Sequence, residues 1–211
     1  MTEQQIPQLA GALVTHQRHF GALPTDDAQW AIQNTQAAIA LCVEAIKNRA
    51  NGVAKKLLEF VTTTSVAAIE SFKSSENFKE DAKKVAVRIW SLGDNFKKHF
   101  GRKEEGASEA VEIKIHKLLE WSLDAPIITE LADKCEITLG QFFALLSKQG
   151  KGEAGPLLTN GWANIAYIRD DEGILWAVHA DWYAGRGGWS VGASSVGDPD
   201  GWRGGFQVLS R

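Results

Sequence analysis

Cysteine is scarce in this chain of 211 residues: Cys42 and Cys135 are the two present, far apart and outside any CxxC motif. That spacing leaves no disulfide framework to read and fits a reducing compartment, so the expectation is a cytoplasmic protein in which both act as small buried apolar residues. Long apolar runs are absent too. The longest candidate, residues 37–46, is about half the length needed to cross a bilayer and carries Glu44. The first 20 residues hold no basic stretch followed by an apolar run, hence no secretory signal. Excess charge is lacking as well. A net charge of −3 and a pI near 6.0 exclude a generally basic nucleic-acid coat. No G-x-x-x-x-G-K-[ST] motif supports nucleotide hydrolysis, and no repeat of 20–50 residues is visible.

Tryptophan, by contrast, is abundant. There are eight, and Trp162, Trp176, Trp182, Trp189 and Trp202 fall in the last 50 residues; twelve of the 20 glycines lie between Gly152 and Gly205. With 44% hydrophobic and 23% charged residues the chain has a globular composition, but its two ends follow different local rules.

The N-terminal half reads as helical. Residues 1–24 form a weakly patterned leader. Thr25 then caps a helix over 25–49, with Asp26 and Asp27 at its positive end and an apolar stripe of Ile32, Ile39, Val43 and Ile46 before the Asn51-Gly52 stop. The β-branched run 60–66 predicts a strand, followed by helical propensity over 67–73. Alternation predicts strands at 85–92 and 111–116, and a short helix at 95–100 follows Gly93-Asp94. Asp124 opens a helix with Pro126 in its first turn, and Thr138-Leu139-Gly140-Gln141 is a capping box that opens another through Lys148.

From Trp162 the period changes to two. Strands are expected at 162–169, 174–182 and 189–193, with Phe206 and Val208 closing a meander. Ile174, Trp176, Val178, Ala180 and Trp182 share one face. The expected fold is therefore α+β: a helical N-terminal part packed with antiparallel sheet, and a Trp- and Gly-rich β-meander at the C-terminus. The parts divide at 1–155 and 156–211 and pack as one compact unit, since so small a meander cannot bury both faces alone.

Several motifs fail in context. Gly188-Trp189-Ser190-Val191-Gly192 matches the G-x-S-x-G elbow, but it lies in an alternating strand and no His follows it. Gly150 to Gly155 matches G-x-G-x-x-G, but a helix precedes it and Pro156 follows, so it reads as a loop. His16 and His19 lack further ligands, and Asp198 and Asp200 fall short of a calcium site; no metal and no cofactor is expected. His179 and Asp181 sit at i, i+2 on the face opposite Trp176 and Trp182 and form a candidate acid–base pair. Arg186-Gly187-Gly188-Trp189 and Arg203-Gly204-Gly205-Phe206 form an echo that turn chemistry explains. Residues 47–105 carry 13 basic and eight acidic side chains, a net +5 that would suit an acidic partner, including RNA or DNA; a solvated face explains it equally.

Several stretches together resemble a group of uncharacterised proteins predicted from uncultured bacterial genomes. They are Asp27-Ala28-Gln29-Trp30, Leu57-Leu58-Glu59-Phe60, Leu92-Gly93-Asp94-Asn95-Phe96, Pro126-Ile127-Ile128-Thr129-Glu130-Leu131, Leu158-Thr159-Asn160-Gly161, and Asp200-Gly201-Trp202 before Leu209-Ser210-Arg211. The resemblance spans nearly the whole chain. It implies that the helical and Trp-rich parts belong to one protein, and it carries no catalytic residue.

The expectation for function is a non-enzymatic binding module for a protein or small-molecule ligand, away from membranes, with Trp182, Tyr183, Arg186, Trp202 and Arg203 as its surface. The alternatives are a small hydrolase-like enzyme using His179 and Asp181, and a nucleic-acid accessory protein using the basic 47–105 region. An enzyme needs His179 and Asp181 in a concave pocket with a third polar group. Of the five C-terminal tryptophans, the pattern leaves Trp202 free for function.

Overall fold

The structure is a computed structural model and describes residues 33, 56–80 and 85–211. Two units divide at residue 55. Of the first, Gln33 is described: it is helical and exposed. The rest of the expected 25–49 helix, the leader with its two histidines, and Cys42 lie outside the described residues. The second unit spans Lys56–Arg211.

Nine strands and four short α-helices are described in it. In chain order they are β1 (Leu58–Val66), β2 (Phe72–Lys73), α1 (Ser74–Asn77), β3 (Ile89–Leu92), α2 (Asp94–Phe100), β4 (Glu104–Glu105), β5 (Val111–Leu118), α3 (Asp124–Leu131), α4 (Leu139–Ser147), β6 (Asn164–Arg169), β7 (Leu175–Tyr183), β8 (Gly188–Ser195) and β9 (Gln207–Ser210). Seven strands make one sheet in the order β1-β5-β9-β6-β7-β8-β3, and β2 and β4 form a separate two-stranded ribbon.

This corrects the expected fold. The unit is a large mixed sheet with few helices, and the helices described in it follow β1 rather than forming a helical part ahead of the sheet. The sheet is not wholly antiparallel either: β9 runs parallel to β6, and β3 parallel to β8. Phe206 and Val208 therefore do not close a meander. β6, β7 and β8 are successive antiparallel neighbours, but β9 inserts between β5 and β6. Strand alternation reports which face a residue occupies and nothing about which strand lies beside it, so parallel pairing was invisible in the pattern. The segment 67–73, expected to be helical, ends in β2 with α1 following.

Burial on both faces follows from period two. On one face, Ile113, Ile115, Ala166, Val178, Ala180, Trp182, Trp189, Val191 and Leu209 pack with Phe96 and Phe100 of α2 and Leu139, Phe142, Leu145 and Leu146 of α4. On the other, Ile165, Tyr167, Ala177 and Val208 pack with Ile127 and Leu131 of α3 and with Trp202. Carboxylates fix several joints. The capping box at Thr138 and Gln141 forms as the sequence predicts, and Glu105 from the ribbon accepts the Leu139 and Gly140 N–H groups at 2.9 and 2.8 Å. Those donors have no partner within the helix, and the negative charge suits its positive end. Glu130 of α3 likewise accepts the Leu57 and Leu58 N–H groups and pins the start of β1.

The parallel β6–β9 pair has a consequence for function. After β8 the chain must cross the second face, over β7 and β6, to reach the slot for β9. Residues 196–206 make that crossing, and they carry Asp198, Asp200 and Trp202. No described helix is long and apolar enough to cross a membrane.

Candidate functional site

The crossing segment does not lie flat on the sheet. Between it, the start of α3 and the strands β7 and β8 is a cavity of about 250 Å³, lined by Asp124, His179, Ser194, Asp198, Asp200, Gly201 and Trp202. Strand register explains the floor: His179 is opposite Gly192, and Ala177 opposite Ser194, so the residues at 179 and 194 point to the same face. Gly192 is required there. A Cβ at that position would lie 2.6 Å from His179 Nε2, so the glycine lets the imidazole lie across β8. This accounts for one glycine of the G-x-S-x-G match, which is part of β8 and not an elbow.

Asp124 forms one wall. It is 1% exposed, and its Oδ1 accepts hydrogen bonds from Tyr167 Oη at 2.8 Å and Trp202 Nε1 at 2.7 Å. Burial pushes its carboxyl above the usual range; the two hydrogen bonds oppose that shift, and the charge of Asp198 adds to it. Burial, and then the same contact, drive the Tyr167 hydroxyl far up, so it remains a donor. Asp124 Oδ2 accepts no hydrogen bond among the described residues, and the residue lines the cavity. The Trp202 ring meets the His179 ring edge to face, with centroids 5.3 Å apart.

Burial lowers the His179 imidazole from 6.5 to about 4, so it is neutral at pH 7. Burial also raises the Asp181 carboxyl. His179 Nδ1 stands 4.0 Å from Asp181 Oδ1, beyond hydrogen-bond length, and Asp181 is not among the residues lining the cavity.

Of the residues singled out in the sequence, the structure brings His179 and Trp202 together in this cleft. Trp202 is 9% exposed, so its role there is as a wall and not as a protruding platform. Trp182 lies on the opposite face, 8% exposed and edge-on to Trp189. Tyr183 is exposed, Arg186 lies over the Trp90 ring at 4.5 Å, and Arg203 is exposed. Asp124, Ser194 and Tyr167 were not singled out as site residues. Asp124 was legible as a helix start, but its partners Tyr167 and Trp202 are 43 and 78 residues away.

Other candidates have structural explanations. Gly152 of the G-x-G-x-x-G match takes φ 77 beneath the Trp182 ring, a turn position against the core. Asp198 Oδ1 accepts the Asp200 N–H at 3.0 Å, a local turn, and no group of three or more metal-ligating side chains stands together among the described residues. In the basic stretch, Lys73, Lys97 and Lys103 each lie within 4.0 Å of a carboxylate. Two further hollows of about 170 and 200 Å³ border Glu105, whose oxygens already hold α4. No protein-family model, curated protein or solved structure matches this chain.

Proposed function

We propose that the protein is a non-enzymatic binding module and that its ligand is a small molecule seated in the cleft between α3, β7, β8 and the 196–206 crossing. The observation that carries this reading is Asp124. A carboxylate is costly to bury unless its hydrogen bonds are made. Here one oxygen is held by two neutral donors while the other accepts no hydrogen bond among the described residues, and the residue lines a cavity of about 250 Å³. Tyr167 and Trp202 hold the carboxylate in position before any ligand arrives, which reduces the ordering cost of binding.

Binding is favoured over hydrolysis through His179 and Asp181 because a general base needs an orienting hydrogen bond, and the 4.0 Å separation does not supply one. It is favoured over a macromolecular surface built on Trp182, Tyr183, Arg186, Trp202 and Arg203 because Trp182 and Trp202 belong to cores on opposite faces of the sheet.

A cleft-filling variant tests the reading. Ser194→Phe places a ring in the cavity without removing any group of the Asp124 network. A library of small polar fragments is screened by thermal shift against the wild-type protein. Hits should lose at least about tenfold in affinity in Ser194→Phe, equivalent to about 1.4 kcal/mol, while the fold, followed by indole fluorescence, is retained. Hits that bind the folded variant equally well would place the site elsewhere.

A further inference from the structure

The cleft has an uneven chemistry. Its lining includes three carboxyl groups, Asp124, Asp198 and Asp200, and no lysine or arginine. Low-dielectric walls around charge of one sign favour a ligand of the other. An acidic lining alone would describe a solvated loop, but Asp124 is different in kind. It is 1% exposed, it is restrained through Oδ1, and its Oδ2 has no hydrogen-bond partner among the described residues. Such an oxygen is a fixed acceptor for a charged N–H donor, and hydrogen bonds with an ionised partner are roughly twice as strong as neutral ones.

The aromatic wall points the same way. Trp202 and His179 border the cavity with their rings in contact. Indole attracts cations through its π face, and a neutral imidazole adds no repulsion. A bare metal ion fits less well. Calcium takes six to eight oxygens, whereas one oxygen of Asp124 and one of Asp198 already accept hydrogen bonds from the protein and no three-ligand cluster is described. A cavity of about 250 Å³ also has room for a multi-atom ligand.

We infer that the ligand of this cleft is a small organic cation, an amine or guanidine whose charged N–H group meets Asp124 while its carbon skeleton lies against Trp202 and His179. This rests on the reading of the cleft as a small-molecule site and gives that reading a chemical class.

The test is calorimetric titration of the full chain at neutral pH and low salt with matched pairs: butylamine against butanol, and benzylamine against benzyl alcohol. Agmatine serves as a guanidine probe and calcium chloride as a metal probe. At least one cationic probe should bind more tightly than the alcohols, by about tenfold or more for the matched pairs, and should weaken by a similar factor in Asp124→Asn. Asp198→Asn and Asp200→Asn, on the surface loop, remove charge without removing a hydrogen bond of the buried network. Each should weaken the cation severalfold and leave the alcohol unchanged, which keeps the test sound if Asp124→Asn folds poorly. Alcohols binding as tightly as amines, with both lost in Ser194→Phe, would overturn the cationic assignment and leave the cleft reading intact. Calcium binding more tightly than any amine would overturn it in favour of a metal. No Ser194-dependent binding by any probe would overturn both.

Discussion

Trp189→Ala is expected to destabilise the protein by about 3–5 kcal/mol, measured by urea unfolding. Trp189 is fully buried near the start of β8, where its side chain does three jobs. Its ring packs edge-on against Trp182 with centroids 5.5 Å apart. Its Nε1–H donates to the Gln149 carbonyl at 3.0 Å. Through that contact it braces the residue that organises the following loop, because the Gln149 side chain bonds both the N–H and the carbonyl of Leu157 and the carbonyl of Glu153. Truncation leaves a large cavity and removes one of the two donors to the Gln149 carbonyl, which keeps the Gly152 N–H, and both effects have the same sign. Trp189→Phe keeps most of the packing and loses the hydrogen bond, so it should fall between wild type and Ala. A cost below about 1 kcal/mol for Trp189→Ala would mean that this face of the sheet is not packed as described.

The second large effect is a dependence of stability on pH that belongs to His179. Its pKa falls from 6.5 to about 4 on folding. The unfolded chain therefore binds this proton more readily, and acid favours unfolding. The contribution is complete above about pH 6.5 and is lost progressively as the pH falls toward 4. That shift corresponds to roughly 3 kcal/mol at most, and less because 25% of the side chain reaches solvent. Asp124 and Asp181 act in the opposite direction. Burial raises both, so the folded state holds their protons more tightly and their penalty eases as the pH falls. Burial lowers His116 as well. The quantity to measure is therefore the difference between wild type and His179→Gln across pH 7 to 4. Wild type should lose about 2–3 kcal/mol relative to the variant over that range. Parallel curves would show that the imidazole is not buried in the cleft.

What the sequence disclosed follows the range of the interactions involved. The capping box at residues 138–141 is local and complete in four residues, so its helix was legible. The faces of β7 were legible because period two is local: Trp182 does share a face with Val178 and Ala180, and His179 and Asp181 do lie opposite. The neighbours of each strand were not legible. β3 beside β8, and β9 between β5 and β6, depend on contacts across most of the unit, and the expected antiparallel meander failed on those pairs. The cleft failed to show for the same reason. It exists because a parallel pair forces residues 196–206 across the sheet, which brings Trp202 to an aspartate 78 residues away. Trp202 stood out as the tryptophan beside a turn, but nothing near it in the chain disclosed that its indole would hold a buried carboxylate.

The most direct test of the central claim follows the indole N–H resonances of nitrogen-labelled protein during titration with fragment hits. Trp202 Nε1–H bonds a carboxylate in the cleft, while Trp189 Nε1–H bonds a carbonyl in the core on the other face. The two are therefore internal reporter and control. Ligand binding in the cleft predicts a saturable shift of the Trp202 resonance, shared by the His179 ring, with Trp189 unmoved. A saturable shift confined to groups around Tyr183 and Arg186, with Trp202 unmoved, would contradict it.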